Sequence, residues 1–254
     1  MKNVLFKAER IVNALAKNYS HEKTSAIILV AGKGTRVGGS ISKQLTEING
    51  IPVAIRSIIK FQHCEVIDEI IVVAAENELS FYDEYIEKYK LSKVARIVKG
   101  GDCRAESAKN GFLAVDKKSK FVVIHDGARC AVTEEQIEKV ARAAYKHGAA
   151  IAAARSTDTI KRADKEGFVS KTIDRRYIWR AQTPQVFLKK LYEVALAKAG
   201  DAYVYATDDA SLAEASGFKV KLVECGENNI KITYKEDFER VRHIIEAEEK
   251  GEGK

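Results

Sequence analysis

The chain has 254 residues, with 43 Lys and Arg against 36 Asp and Glu for a formal charge of +7. That length suffices for one large α/β domain or two small ones with a sizeable core, and the charge favours acidic partners. The basic residues alternate with acidic ones in no tract and without aromatic interleaving, which argues against nucleic acid, and no run reaches membrane-spanning length.

Lys7, Glu9 and Arg10 interrupt the apolar positions of the N-terminus, so it does not read as a signal peptide. The four cysteines, Cys64, Cys103, Cys130 and Cys225, form no C-x-x-C pair, which suggests neither a zinc site nor a disulfide frame. Reduced thiols and a cytoplasmic location are expected. Within residues 1–23, Leu5, Ala8, Val12 and Leu15 fall at helical spacing. This predicts an amphipathic extension ahead of a main domain over 24–254.

The apolar run Ala26–Val30 predicts a buried strand. It breaks into Ala31-Gly32-Lys33-Gly34-Thr35-Arg36, with Lys43 a few residues on. Glycines bring bare N–H groups close to phosphate oxygens, and two cations behind them can neutralise a polyphosphate. A Walker A loop needs G-x-x-x-x-G-K-[ST], and here Gly34 is followed by Thr-Arg. A dinucleotide fingerprint needs a third glycine where Val37 stands. The bland alternative is a surface turn with incidental charges.

Strands are next expected at Ile70–Ala74, Ala95–Val98, Phe121–Ile124 and Ala149–Ala153. Helices are expected at Val53–His63, Leu79–Tyr89, Glu106–Asp116 and Glu134–His147, the last with Thr133 and Gln136 at capping-box positions. Short unalternating strands, each followed by a helix, imply an α/β fold with a mainly parallel sheet covered on both faces. Thr159–Arg162 and Val169–Ile173 alternate around a turn-like Ala163–Gly167 and predict an inserted β-hairpin. Alone it would be barely stable, so it should pack on something, such as a second subunit. After Pro184 the pattern returns to helix at Leu188–Lys198. An acidic helix start follows at Thr207–Ser211, then a strand at Lys219–Val223, an alternating strand carrying Lys231, and a last helix from Lys235.

Ligands of such sheets sit beyond the C-terminal ends of the strands. After Val98 comes Gly100-Gly101-Asp102-Cys103-Arg104-Ala105-Glu106-Ser107, where Asp102 can accept from a base or ribose and Ser107 can donate or accept. A glycine turn with a helix cap is the alternative. After Ile124 comes His125-Asp126-Gly127-Ala128-Arg129, whose carboxylate suits a metal-bound polyphosphate or a sugar hydroxyl. His125 reads as orienting the turn. Cations accumulate at Arg36, Lys43, Arg129, Arg175 and Lys231, and no nucleophile–base pair is evident. That combination fits phosphoryl or nucleotidyl transfer, which is positioning and charge stabilisation.

These motifs, together with Ser42-Lys-Gln44, Thr172-Ile-Asp-Arg175, Gln182-Thr-Pro-Gln185, Ala206-Thr-Asp-Asp-Ala-Ser211 and Asn229-Ile-Lys-Ile-Thr233, resemble in order and spacing the 2-C-methyl-D-erythritol 4-phosphate cytidylyltransferases. The resemblance runs from about Ser25 to the last helix. It implies a Rossmann-like three-layer nucleotidyltransferase fold with a β-hairpin dimerisation arm at 157–180. It also implies transfer of CMP from CTP to the acceptor phosphate, with Mg²⁺ held mainly by the triphosphate and Asp126 a candidate ligand. Carried over, Arg36, Lys43, Arg175 and Lys231 would be catalytic. Ala31, Gly32, Gly34, Gly101, Asp102, Ser107 and Asp126 would bind the nucleotide. Arg129, Thr159, Arg175, Thr207 and Lys231 would bind the acceptor, with Thr159 and Arg175 reaching a neighbouring subunit's site. The chain departs from the usual pattern at Val37 for Met, Gly127 for Ala and Cys130 for Pro, the last two bearing on that loop's rigidity. Ribitol-5-phosphate cytidylyltransferases share the glycine loop and the Thr-Pro-Gln segment and are the close rival. A non-catalytic nucleotide-binding regulatory module is the rival of another class, disfavoured by the cations at Arg36, Lys43 and Lys231.

Overall fold

The computed structural model describes residues 21–32 and 42–251. The helix expected before the main domain falls on undescribed residues but for His21–Lys23, which are not helical. Gly34 and Arg36 also lie outside the described residues.

The described chain begins with β1 (Thr24–Leu29), a small ribbon of β2 (Glu47–Ile48) and β3 (Ile51–Pro52), and α1 (Val53–His63). Then come β4 (Glu69–Ala74), α2 (Leu79–Lys88), β5 (Val94–Lys99), α3 (Arg104–Ala114), β6 (Phe121–Asp126), α4 (Glu134–His147) and β7 (Ala149–Arg155). After them follow β8 (Lys161–Ala163), β9 (Val169–Thr172), β10 (Trp179–Leu188), α5 (Lys189–Ala199), α6 (Asp209–Ala215), β11 (Lys221–Glu224) and α7 (Glu236–Glu249). Seven strands form one sheet in the order β11-β7-β10-β6-β1-β4-β5. Every pairing in it is parallel except the two that β10 makes with β6 and β7.

All six residues of β1 and of β6 are buried. Successive side chains point to opposite faces, so full burial means that both faces are covered. The α/β expectation with a mainly parallel sheet therefore stands. The capping box of α4 also forms, with Thr133 and Gln136 exchanging side-chain and backbone bonds and Gly148 ending the helix at φ +84°.

Three local features depart from expectation. First, Pro184 lies inside the ten-residue strand β10, between β6 and β7, which the sequence pattern does not indicate, and the helix expected after it follows as α5. Proline in a central strand normally argues against a strand. Here the pairing with β7 skips between Ala181 and Gln185, so Pro184 need not supply a ladder N–H. Second, Asn228–Thr233 is irregular chain and not a strand. Its alternation has another cause: Ile232 packs in a small second core with Ile48, Val53, Cys130, Phe238, Val241 and Ile245, while Lys231 faces the site. Third, β5 is the sheet's edge and is only partly buried, with Arg96 exposed, instead of a fully buried run.

The hairpin of β8 and β9 forms as expected, antiparallel and exposed throughout. Among the described residues no helix is long and apolar enough to cross a membrane.

Candidate active site

The C-terminal ends of β1, β5 and β6 deliver Ala31–Gly32, Gly100–Asp102 and Asp126 to one edge of the sheet. Gly100 donates to Ala74 O at 2.8 Å, which continues the strand pattern into the turn. A Cβ on Gly100 would lie 2.5 Å from Ala31 Cβ, and one on Gly101 would lie 2.2 Å from Glu106 Cβ. Glycine is therefore demanded at both positions by close approach. The Ser107 hydroxyl accepts from Gly101 N–H at 3.1 Å and donates to Cys103 O at 3.1 Å. Cys103 caps α3, accepting from Glu106 N–H, which starts the helix at Arg104, two residues earlier than the periodicity suggested. Both of Ser107's bonds stabilise the turn itself. Asp102 is exposed beside it, its N–H held by Glu106 at 2.6 Å.

Asp126 is buried at the end of β6 and is held by cations on both sides. Arg104 Nε donates to its Oδ1 at 2.9 Å, and Lys231 Nζ donates to its Oδ2 at 2.6 Å. Burial alone would raise its pKa. The charges of Arg104, then Lys231 and Arg129, overcome that and hold it well below the usual carboxylate range. Arg104 Nη1 reaches on to Asp209 Oδ2 at 2.7 Å. Arg129 Nη1 donates to Asn229 O at 2.7 Å, and Lys43 Nζ donates to Ile232 O at 3.1 Å. The irregular segment 229–232 thus gathers Lys43, Arg129 and Asp126 around Lys231. Lys43, Arg104, Arg129 and Lys231 face two carboxylates, Asp126 and Asp209, so the cluster carries an excess of positive charge suited to a polyphosphate.

The Gln182–Gln185 segment braces this edge. Thr183 Oγ1 accepts from Asp126 N–H at 3.1 Å and bonds His125 Nδ1 at 3.0 Å. Asn229 Nδ2 donates to Thr183 O at 2.7 Å. Gln185 donates to Asp208 and accepts from Ala210 N–H, which fixes the cap of α6 next to Thr207. His125 is fully buried against Phe61, with ring centroids 4.8 Å apart, and burial lowers its pKa to about 3. A neutral, buried imidazole suits the orienting role expected of it.

Of the sequence candidates, Lys43, Asp126, Arg129 and Lys231 converge, and Gly101, Asp102 and Ser107 stand next to them through Arg104. Thr207 lies exposed just before α6. Arg175 bonds Thr157 O at 2.7 Å, and it and Thr159 sit on the exposed arm. No bond among the described residues joins either of them to the Asp126 cluster. Sequence reasoning assigned no role to Arg104 or Asp209, although both lie within motifs it singled out.

The loop after Asp126 is well braced despite Gly127 and Cys130. Gly127 N–H donates to Leu29 O, Ser57 Oγ donates to Gly127 O, and Ile232 N–H donates to Ala128 O. Cys130 is buried in the second core, its thiol pushed up to about 12 by burial. A Cβ at Gly127 would lie 2.5 Å from Val30 Cγ1 and 3.2 Å from Leu29 O. Val30 therefore fills the space an alanine would take. Gly127→Ala should cost about 1–3 kcal/mol by overpacking, and adding Val30→Ala should recover most of that loss. Urea denaturation of the two singles and the double checks it, and additive losses would contradict the shared space.

A family model described as 2-C-methyl-D-erythritol 4-phosphate cytidylyltransferase matches residues 24–247. Proteins of that name from Syntrophus aciditrophicus and Caldanaerobacter subterraneus are 41% and 47% identical to the chain. They align over 89% and 84% of it and over 97% and 94% of their own lengths. Among solved structures, the 4-diphosphocytidyl-2C-methyl-D-erythritol synthase of Anaerococcus prevotii superposes with a TM-score of 0.79 at 32% identity, covering 89% of this chain and 96% of that one. The 2-C-methyl-D-erythritol 4-phosphate cytidylyltransferase of Francisella tularensis superposes with a TM-score of 0.73 at 30% identity, covering 87% and 99%. The parallel sheet, the cation cluster around Asp126 and these matches lead to one conclusion: the chain belongs to the 2-C-methyl-D-erythritol 4-phosphate cytidylyltransferase family.

Proposed function

We infer that this protein transfers the cytidylyl group of CTP to 2-C-methyl-D-erythritol 4-phosphate and releases pyrophosphate. The observation that carries the reading is the gathering of Lys43, Arg129 and Lys231 by segment 229–232, with Lys231 and Arg104 bonded to Asp126 beside the Gly100–Ser107 turn. A phosphate oxygen of the acceptor attacks the α-phosphorus of CTP. The bond from that phosphorus to the bridging oxygen breaks, and its electron pair leaves with pyrophosphate. Charge grows on the α-phosphate oxygens and on the leaving group, where preorganised cations act most strongly. Lys43 and Lys231 are supported in this role by the bonds that fix them in advance. Arg36 joins them on the strength of the motif. The glycines at 100 and 101 let the turn pack tightly against Ala31 and Glu106, and Asp102, exposed beside it, offers its carboxylate to the cytidine.

Among the described residues no three His, Cys, Asp or Glu side chains converge as a metal cage. Asp126, the carboxylate the sequence offered as a metal ligand, already has a cation on each oxygen. A divalent cation is therefore best supplied with CTP as its phosphate counter-ion, where it would draw charge from the triphosphate.

The exposed arm, with Phe168 69%, Val169 63% and Tyr177 77% accessible, supports a homodimer in which Thr159 and Arg175 enter the neighbour's acceptor site. Such an apolar surface on a thin hairpin is costly to leave in water. Mixing Arg175→Ala and Lys231→Ala chains should then restore activity to well above that of either alone, through one intact composite site per heterodimer. No recovery in verified heterodimers would reject the shared site.

Pyrophosphate release with CTP tests the whole reading. Turnover is expected with 2-C-methyl-D-erythritol 4-phosphate and much less with ribitol 5-phosphate. The reverse preference would move the chain's chemistry to the ribitol acceptor, and release with neither would favour a nucleotide-binding role.

A further inference from the structure

Arg104 occupies a position that the transfer chemistry does not by itself require. It is the first residue of α3, directly after the Gly100–Cys103 turn. Its guanidinium spans two carboxylates from different parts of the chain: Asp126 at the end of β6 through Nε, and Asp209 at the start of α6 through Nη1. Both are held at the far side as well. Lys231 takes the other oxygen of Asp126, and the Tyr192 hydroxyl donates to Asp209 Oδ1 at 2.6 Å. The result is one unbranched chain of charge-assisted bonds, Lys231–Asp126–Arg104–Asp209–Tyr192. Its middle member directly follows the Gly100–Cys103 turn, and its fourth, Asp209, is the first residue of α6, the helix that Thr207 precedes. The Asp209 carboxylate is almost fully buried, at 4% exposure, so its partner cannot be replaced by solvent. Arg104 Nη2 is buried and has no hydrogen-bond partner among the described residues, so within them the guanidinium is held by these two contacts.

A planar fork that grips one carboxylate on each side transmits displacement between them, which a flexible ammonium does not. Resting on the assignment of the Gly100–Ser107 turn to CTP and of Thr207 to the acceptor, we propose that Arg104 is a positioning residue that couples the two substrate subsites: its guanidinium, already held between Asp126 and Asp209, carries a shift of the turn on nucleotide binding to the start of α6, and thereby sets Thr207 for the acceptor. Arg104 acts through Asp209 and touches no reacting atom. Coupling between two sites is reciprocal, so bound acceptor tightens CTP by the same factor.

The test is calorimetric titration of 2-C-methyl-D-erythritol 4-phosphate with and without cytidine 5′-(α,β-methylene)triphosphate, a nucleotide that cannot transfer its CMP. In the unmodified protein the nucleotide should tighten acceptor binding by about tenfold, within the usual range for such coupling. Arg104→Gln, Arg104→Lys and Asp209→Asn should each bring that ratio below about twofold. Asp209→Asn should leave the affinity for nucleotide alone within a factor of two, because Asp126 keeps its hold on Arg104. A merely structural role would weaken both ligands and leave the ratio intact. A preserved ratio in well-folded variants, or no coupling in the unmodified protein, overturns the proposal. If Arg104→Gln does not fold, Asp209→Asn, which keeps the side-chain volume, decides it. An unmodified protein that binds neither ligand overturns the functional reading and the coupling together. One that turns over CTP without coupling overturns the coupling alone.

Discussion

Lys43→Ala is expected to lower kcat by about 10²–10³-fold, the loss found when one preorganised oxyanion donor is removed. Lys43 is 8% exposed, which is rare for lysine, and its ammonium is anchored on Ile232 O at 3.1 Å. It therefore meets the developing charge with little reorganisation, and its contribution should be larger in the transition state than in the bound substrates. The fall should accordingly appear in kcat at saturating CTP and acceptor, with a smaller change in either KM. Lys43→Arg should recover little, because a planar fork cannot occupy the point position of an ammonium. Arg36→Ala is expected to act with similar size for the same chemical reason. Steady-state pyrophosphate release measures both, and an unchanged kcat in Lys43→Ala would remove it from the transition state.

The sequence made the parallel strands and the glycine turns legible because their signals are local. An apolar run followed by Gly-Gly states both the strand and the close approach that Ala31 and Glu106 impose on Gly100 and Gly101. The capping box at Thr133 is equally local. β10 was not legible, because Pro184 is a local breaker and its tolerance comes from a register skip against a distant strand. Segment 228–233 misled for the opposite reason. Its period of two is satisfied by Ile232 in the second core and Lys231 in the site, with no strand partner. Although Arg104 was passed over, that Lys43, Arg129 and Lys231 gather was readable from residue types near strand ends. What holds the cations in place was not, since Arg104 finds its two carboxylates 22 and 105 residues away in the chain. Nor could any spacing tell that Ser107, Thr183 and Gln185 spend their hydrogen bonds on the turn, on Asp126 and on the cap of α6.

Asp126→Ala should destabilise the protein by about 3–5 kcal/mol, the cost of leaving buried charges without their counter-ion. Arg104 and Lys231 would each lose a direct partner, with Arg129 close by, in an environment where the Asp126 side chain is only 11% exposed. The pH dependence has a definite sign. The folded carboxyl lies far below the usual range, so its contribution is complete above the unfolded value of about 3.9 and is lost only as the pH falls through the folded value. Urea denaturation should therefore find the same gap between wild type and variant at pH 5, 6, 7 and 8, with narrowing confined to more acid conditions. His125 adds a slope that both proteins share between pH 5 and 8, because Asp126 only raises its pKa and the folded imidazole stays neutral there in either. Its pKa is lowered by burial to about 3, so the unfolded chain takes up a proton that the folded chain refuses, and stability falls as the pH drops below about 6.5. The difference between the two proteins isolates Asp126 from that background. A gap under about 1 kcal/mol would mean that the cations are solvated like an exposed pair, and the positive cluster would then need no carboxylate to exist before the triphosphate arrives.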